Sequence, residues 1–274
     1  MQNRSIAFIG AGNMTTSIIS GLISSGYCAQ NIWASNRSAE KLTNLKNQFS
    51  INTTQDNDTA IAAADVVVLA VKPQGMQEML EAVKLPKVQL ENKLFISIAA
   101  GIPLQRLNQM LGFPAKIIRT MPNTPSLLGL GLTGIYAPDN ISTEDKTYTE
   151  SLMSAVGKSI WVDSEEGIDK IIGVAGSAPA YFFLFMECIA KEAEQLGFSP
   201  VQAREIVQQV ALGSASMVCK NASTEIATLR ENVTSKGGTT AAALASFNDS
   251  KLDEITHKAI QAAIARSREM AKLF

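Results

Sequence analysis

The stretch IAFIGAGNMTTSIISGLISSG, Ile6 to Gly26, passes from an apolar β-like segment through a glycine turn into a helical pattern. In such a strand–turn–helix, Gly10 permits the tight turn, and Gly12 lacks a side chain that would hold a pyrophosphate off the backbone amides. The turn Gly10, Ala11, Gly12, Asn13 and Met14 therefore offers an anion cradle at a helix N-terminus. The third glycine of the dinucleotide fingerprint is replaced by Thr15, and a GxG pair alone also closes purely structural turns.

The end of the next β-like run decides which dinucleotide such a cradle would take. An NAD site keeps an acid there for the ribose 2′-hydroxyl. This chain carries Ser35, Asn36 and Arg37 in ASNRS. Donors plus one positive charge suit a 2′-phosphate, which points to NADPH with NADH as the alternative donor. An ordinary polar turn has the same composition. Ligands of open α/β sheets lie beyond the carboxyl ends of the strands. Ala70, Val71, Lys72 and Pro73 in AVKP, and Ala99 and Ala100 in IAAG, should border the cofactor on that rule. Lys72 reads equally as a surface lysine.

A second polar constellation, VTSKGGTT, places Ser235, Lys236, Gly237, Gly238, Thr239 and Thr240 before an apolar helix pattern. Two glycines, a helix N-terminus and two hydroxyls would suit a small carboxylate. A Ser/Thr helix cap after a glycine turn fits as well. The single histidine, His257, sits on a polar helical stretch between Thr256 and Lys258. A reaction that needs no strong protein base is the better match.

The elements positioning these residues fall into two kinds. Up to residue 163, short Val/Ile/Phe-rich runs (SIAFIG, NIWASN, a weak SINTT, DVVVLAV, KLFISIA, AKIIRTM, GLTGIYA, SIWVD) alternate with helical patterns at 13–25, 39–49 and 59–64. That is the order of a doubly wound parallel sheet, α/β and Rossmann-type. Residues 164–274 read as helices only, an all-α second domain in which Ser199, Pro200 and Gln202 form a start signal and Ser250 with Asp253 another. PAYFFLFMECIA is apolar on nearly every side, so a second chain is expected to cover it.

The chain has 274 residues, 46% of them hydrophobic, and a net charge of −1. It shows no basic tract, so nucleic acid and anionic membrane are poor partners. Cys28, Cys188 and Cys219 are odd in number and far apart, which predicts reduced thiols in the cytoplasm and no metal site. The first residues lack signal-peptide features, and no unbroken apolar run reaches the ~18 residues of a membrane span.

Taken together, IGAGNM, AVKP, RTMPNTP (Arg119 to Pro125), GSAPAY (Gly176 to Tyr181) and VTSKGGTT resemble the pyrroline-5-carboxylate reductase family, in order and over nearly the whole chain. The resemblance implies NAD(P)H-dependent reduction of a cyclic imino acid to L-proline by a homodimer with interlocked helical domains, often assembled further. It also implies Asn57 near the adenosine half of the cofactor, Thr240 hydrogen-bonded to the ring nitrogen, and Ser235 with the amides of Gly237 to Thr239 on the carboxylate. An imine nitrogen can enter already protonated, which accounts for the missing base. Ala178, Lys236 and Thr15 stand where the family usually has glycine, proline and alanine. A reductase of a six-membered cyclic imine and a non-catalytic dinucleotide-sensing regulator are the alternatives.

Overall fold

The computed structural model describes residues 4–273. Its strands are β1 (Ile6–Ile9), β2 (Ile32–Ser35), β3 (Asn52–Thr54), β4 (Val66–Leu69), β5 (Leu94–Ser97), β6 (Lys116–Met121), β7 (Gly131–Tyr136) and β8 (Gly157–Trp161). Among them run α1 (Asn13–Ser24), α2 (Ala39–Phe49), α3 (Asn57–Ala62), α4 (Met76–Glu81), α5 (Lys87–Leu90), α6 (Leu104–Leu111) and α7 (Thr143–Ser154). After β8 come α8 (Glu165–Ile171), α9 (Ala178–Gln195), α10 (Pro200–Lys220), α11 (Ile226–Asn232), α12 (Thr239–Asp249) and α13 (Leu252–Leu273). Two compact units result: one runs through Ser177 and takes in the chain from Ala262 onward, the other is Ala178–Gln261.

The first unit holds one sheet in the order β3-β2-β1-β4-β5-β6-β7-β8. Pairing is parallel through β6, as expected. β7 then runs antiparallel to β6, and β8 parallel to β7. The reversal follows from chain length, because Pro122 to Leu130 is too short for a parallel crossover of about a dozen residues. Successive residues of β1 enter opposite cores, Ile6 and Phe8 one, Ala7 and Ile9 the other. Val66 and Val68 against Val67 and Leu69 repeat this on β4. A strand covered on both faces reads as an unbroken apolar run, which is why these segments stand out in the sequence.

Two starts differ from expectation. α3 begins at Asn57, two residues earlier in the chain than Thr59, because the Asp56 carboxylate accepts the amides of Asp58 and Thr59 at 3.1 and 3.3 Å. Ser250 is the C-cap of α12, and α13 starts only after Lys251 at φ 57°, so Ser250 does not open that helix. The Ser199–Gln202 capping box is present as read.

The helical run Glu165–Gln195 is long enough to cross a membrane, and an 18-residue window of it has a mean hydropathy of 1.5, a test by length and composition that the core helix of a soluble protein also passes. Its apolar stretch is interrupted by Gly, Ser, Pro and charged residues, so no unbroken apolar run of ~18 residues occurs in it.

Candidate active site

In the first unit the strand order reverses beside β1, which lies between β2 and β4. A cleft of about 680 Å³ opens at the carboxyl ends of these three strands, a size in the ~300–1,000 Å³ range of small-molecule sites. Gly10, Ala11 and Gly12 enter it from β1, Ser35, Asn36 and Arg37 from β2, and Ala70, Val71 and Lys72 from β4. Asn57, at the start of α3, lines it too. These are sequence-nominated positions brought together from four elements.

Local chemistry explains the cradle. Gly10 has φ +112°, and a Cβ there would lie 2.6 Å from the carbonyl oxygen of Ala70. Gly12 is the N-cap of α1, with no side chain bonded to the helix amides and open space where a Cβ would stand. The first-turn amides of α1 therefore keep no intrahelical acceptor, the arrangement a pyrophosphate needs. Thr15 fits in place of the fingerprint glycine because its hydroxyl donates to Gly10 O at 2.7 Å and the residue is buried.

At β2 the roles divide. The Ser35 hydroxyl is fully buried and donates to Asn57 Oδ1 at 2.6 Å. Its proton is thus committed to orienting Asn57, which leaves the Asn57 amide NH₂ as the donor. Gln55 Nε2 donates to Arg37 O at 2.8 Å, anchoring the backbone that carries the guanidinium. The residues fit an NADP-type cofactor: an open glycine cradle, and no acid at the end of β2.

Of the other nominated residues, Asn13 and Met14 open α1 directly after the cradle, Pro73 opens the short turn after Lys72, and Ala99 and Ala100 follow β5; they are not among the residues that line the cleft. The lining also includes Lys41 of α2 and Glu78, Met79 and Ala82 from the α4 side. These were missed because they project from helices, away from the strand-end turns where ligand residues are sought.

RTMPNTP acquires a structural account. Arg119, on β6, is 4% exposed and donates from Nη1 to Glu165 Oε1 at 2.8 Å; the same oxygen accepts Leu104 N at 2.7 Å. The Asn123 side chain donates to Ala175 O at 3.1 Å and accepts Leu132 N at 2.9 Å. Ala175 lies in a π-helical turn, Ile172–Gly176, where the usual i→i−4 ladder is interrupted. The motif thus ties β6 and β7 to the helical run at its wide turn.

In the second unit, Ser235 O accepts Gly238 N at 3.0 Å, closing the turn into α12. Gly238 is the N-cap, no side chain caps the helix, and Thr239 and Thr240 are its first two residues. Both threonines and Ser235 are exposed, and among the described residues their hydroxyls have no hydrogen-bond partner. The helix-cap alternative for these hydroxyls is therefore not what the structure contains. Free hydroxyls beside free first-turn amides can receive a carboxylate.

Residues 165–270 match the family model described as pyrroline-5-carboxylate reductase dimerisation. Residues 5–101 match the model described as NADP oxidoreductase, coenzyme F420-dependent. A pyrroline-5-carboxylate reductase of Vibrio alginolyticus is 54% identical over 274 residues, covering all of both chains. The solved structure of a pyrroline-5-carboxylate reductase from Coxiella burnetii is 40% identical with a TM-score of 0.91, covering 98% of this chain and 99% of that one. The Plasmodium falciparum pyrroline carboxylate reductase, solved with NADP bound, is 28% identical with a TM-score of 0.86 and 99% coverage of each chain.

Proposed function

The chain belongs to the pyrroline-5-carboxylate reductase family, and we propose that it reduces 1-pyrroline-5-carboxylate to L-proline, using NADPH and less effectively NADH. The observation that carries this is the full-length similarity to reductases of that name. The cleft at the carboxyl ends of β1, β2 and β4 supports the cofactor assignment. Gly10, Ala11 and Gly12 with the α1 amides would hold the pyrophosphate, Arg37 the 2′-phosphate and Asn57 the adenosine side. Bound there, the reduced nicotinamide supplies the hydride for the imine carbon.

The substrate assignment rests on α12. Its first-turn amides with Ser235 and Thr239 take the carboxylate, and the Thr240 hydroxyl hydrogen-bonds the ring nitrogen. Because the nitrogen can arrive protonated, the chain's task is to orient the ring and hold its charge pattern. The purified protein should oxidise NADPH on addition of pyrroline-5-carboxylate and yield proline, read as loss of nicotinamide absorbance. Oxidation only with a six-membered cyclic imino acid would reassign the substrate, and binding without turnover would make the protein a sensor.

The second unit also supports a homodimer. Among its described residues only Ala193, Ala203 and Val207 are buried apolar side chains, whereas Phe182 and Phe183 are 65% and 62% exposed. That much bare aromatic surface is far more than a soluble monomer carries. Light scattering at low concentration should give the dimer mass or a multiple of it, and an active, stable monomer would overturn the interface. The three free thiols fit a reducing, cytoplasmic setting.

A further inference from the structure

We propose that Lys41 is a second cation for the ribose 2′-phosphate, so that preference for NADPH is carried by Arg37 and Lys41 together. The proposal rests on the NADPH reading above. Both residues line the same cleft, Arg37 from the end of β2 and Lys41 from the first turn of α2. Gln55 anchors the Arg37 backbone, and both side chains are exposed to the cleft's solvent.

What marks Lys41 is how poorly the protein alone accounts for it. A first-turn lysine opposes the helix macrodipole, which favours acids at that end. Arg37, a like charge, stands just outside the same helix start, one residue before the Ser38 N-cap. The i+3 and i+4 positions are Asn44 and Leu45, and among the described residues the one first-turn acid, Glu40, makes no ion pair with Lys41. Among the described residues neither cation has an ion pair, while Lys87, Lys191 and Lys251 each pair with a glutamate three or four residues away. Glu78, the one carboxylate of the lining, pairs with neither. The first turn of α2 also has an N-cap, Ser38, whose side chain makes no cap bond. Two unneutralised cations beside uncapped helix amides form a site for a dianion, and a phosphate placed there converts each unfavourable contact into a favourable one.

Calorimetry with 2′,5′-ADP and 5′-AMP, which differ only in the 2′-phosphate, isolates the effect. Lys41→Met should weaken 2′,5′-ADP about tenfold, the loss of one charge-assisted contact at an exposed site, while 5′-AMP binding moves little. Lys41→Arg should restore the difference, and the NADPH-to-NADH ratio of kcat/KM should fall about tenfold in Lys41→Met alone. Arg37→Ala combined with Lys41→Met should bring the affinities for the two nucleotides together. If Lys41→Met weakens both nucleotides alike, or neither, while Arg37→Ala weakens only 2′,5′-ADP, Lys41 does not read the phosphate. If the unaltered protein fails to distinguish the nucleotides, the NADPH reading itself fails and takes the proposal with it.

Discussion

Replacing Thr240 with valine is expected to lower turnover about ten- to a hundredfold while melting temperature and NADPH affinity stay near those of the unaltered protein. The size follows from removing one hydrogen bond of roughly 1–3 kcal/mol that matters only as the hydride arrives. Valine keeps the shape and has nearly the same helix propensity, so the backbone has little reason to respond. The position of Thr240 sharpens the test. It is the second residue of α12 behind a glycine N-cap, with no cap bond from any side chain, so a capping loss is not available as an explanation for a change in rate. Turnover and melting temperature measured on one preparation separate the two effects. Unchanged turnover in the valine variant would end the catalytic assignment.

The strands of the first unit were legible because burial on both faces leaves an uninterrupted apolar signal, as in Val66–Leu69. Their common parallel direction was legible only while crossovers were long enough to hold helices, and it failed at β7 for want of chain. Helix starts depended on whether the cap was noticed: Ser199 with Gln202 was, Asp56 was not. At the candidate site, turn residues at strand ends were readable from type and place. What their side chains bond to was not: Ser35 reads as a phosphate donor in sequence and proves to be committed to Asn57. Arg119 and Asn123 belong to a motif whose meaning lay in contacts with Glu165 and Ala175, distant in sequence and invisible to local pattern. Lys41 was within reach, since a helix started by Ser38 puts it one turn beyond Arg37.

Alanine at Gly10 and alanine at Gly12 should fail in opposite ways, although the residues are two apart in one turn. At Gly10, φ is +112° and a Cβ would meet backbone, Ala70 O at 2.6 Å and Ala70 C at 2.8 Å, neither of which can swing aside. Gly10 N also donates to Ser35 O, and Ala70 N to Ile9 O, both at 2.9 Å, so relief would have to come from strand ends already tied into the sheet. Positive-φ strain and a backbone clash together should cost about 3 kcal/mol or more, a fall in Tm on the order of 10 °C for a chain of this size. At Gly12 the backbone is extended, φ −89° and ψ 179°, a conformation open to any residue, and nothing lies within 4 Å of a Cβ. Alanine there should cost less than about 1 kcal/mol as a poorer N-cap. Its methyl group would nevertheless occupy the approach to the α1 amides, and NADPH affinity should drop about tenfold or more. Thermal melts with and without NADPH read both outcomes: Gly10→Ala lowers the apo melt, whereas Gly12→Ala leaves it nearly in place and loses the ligand-induced rise. Full NADPH stabilisation in Gly12→Ala would show that the pyrophosphate does not rest on this turn.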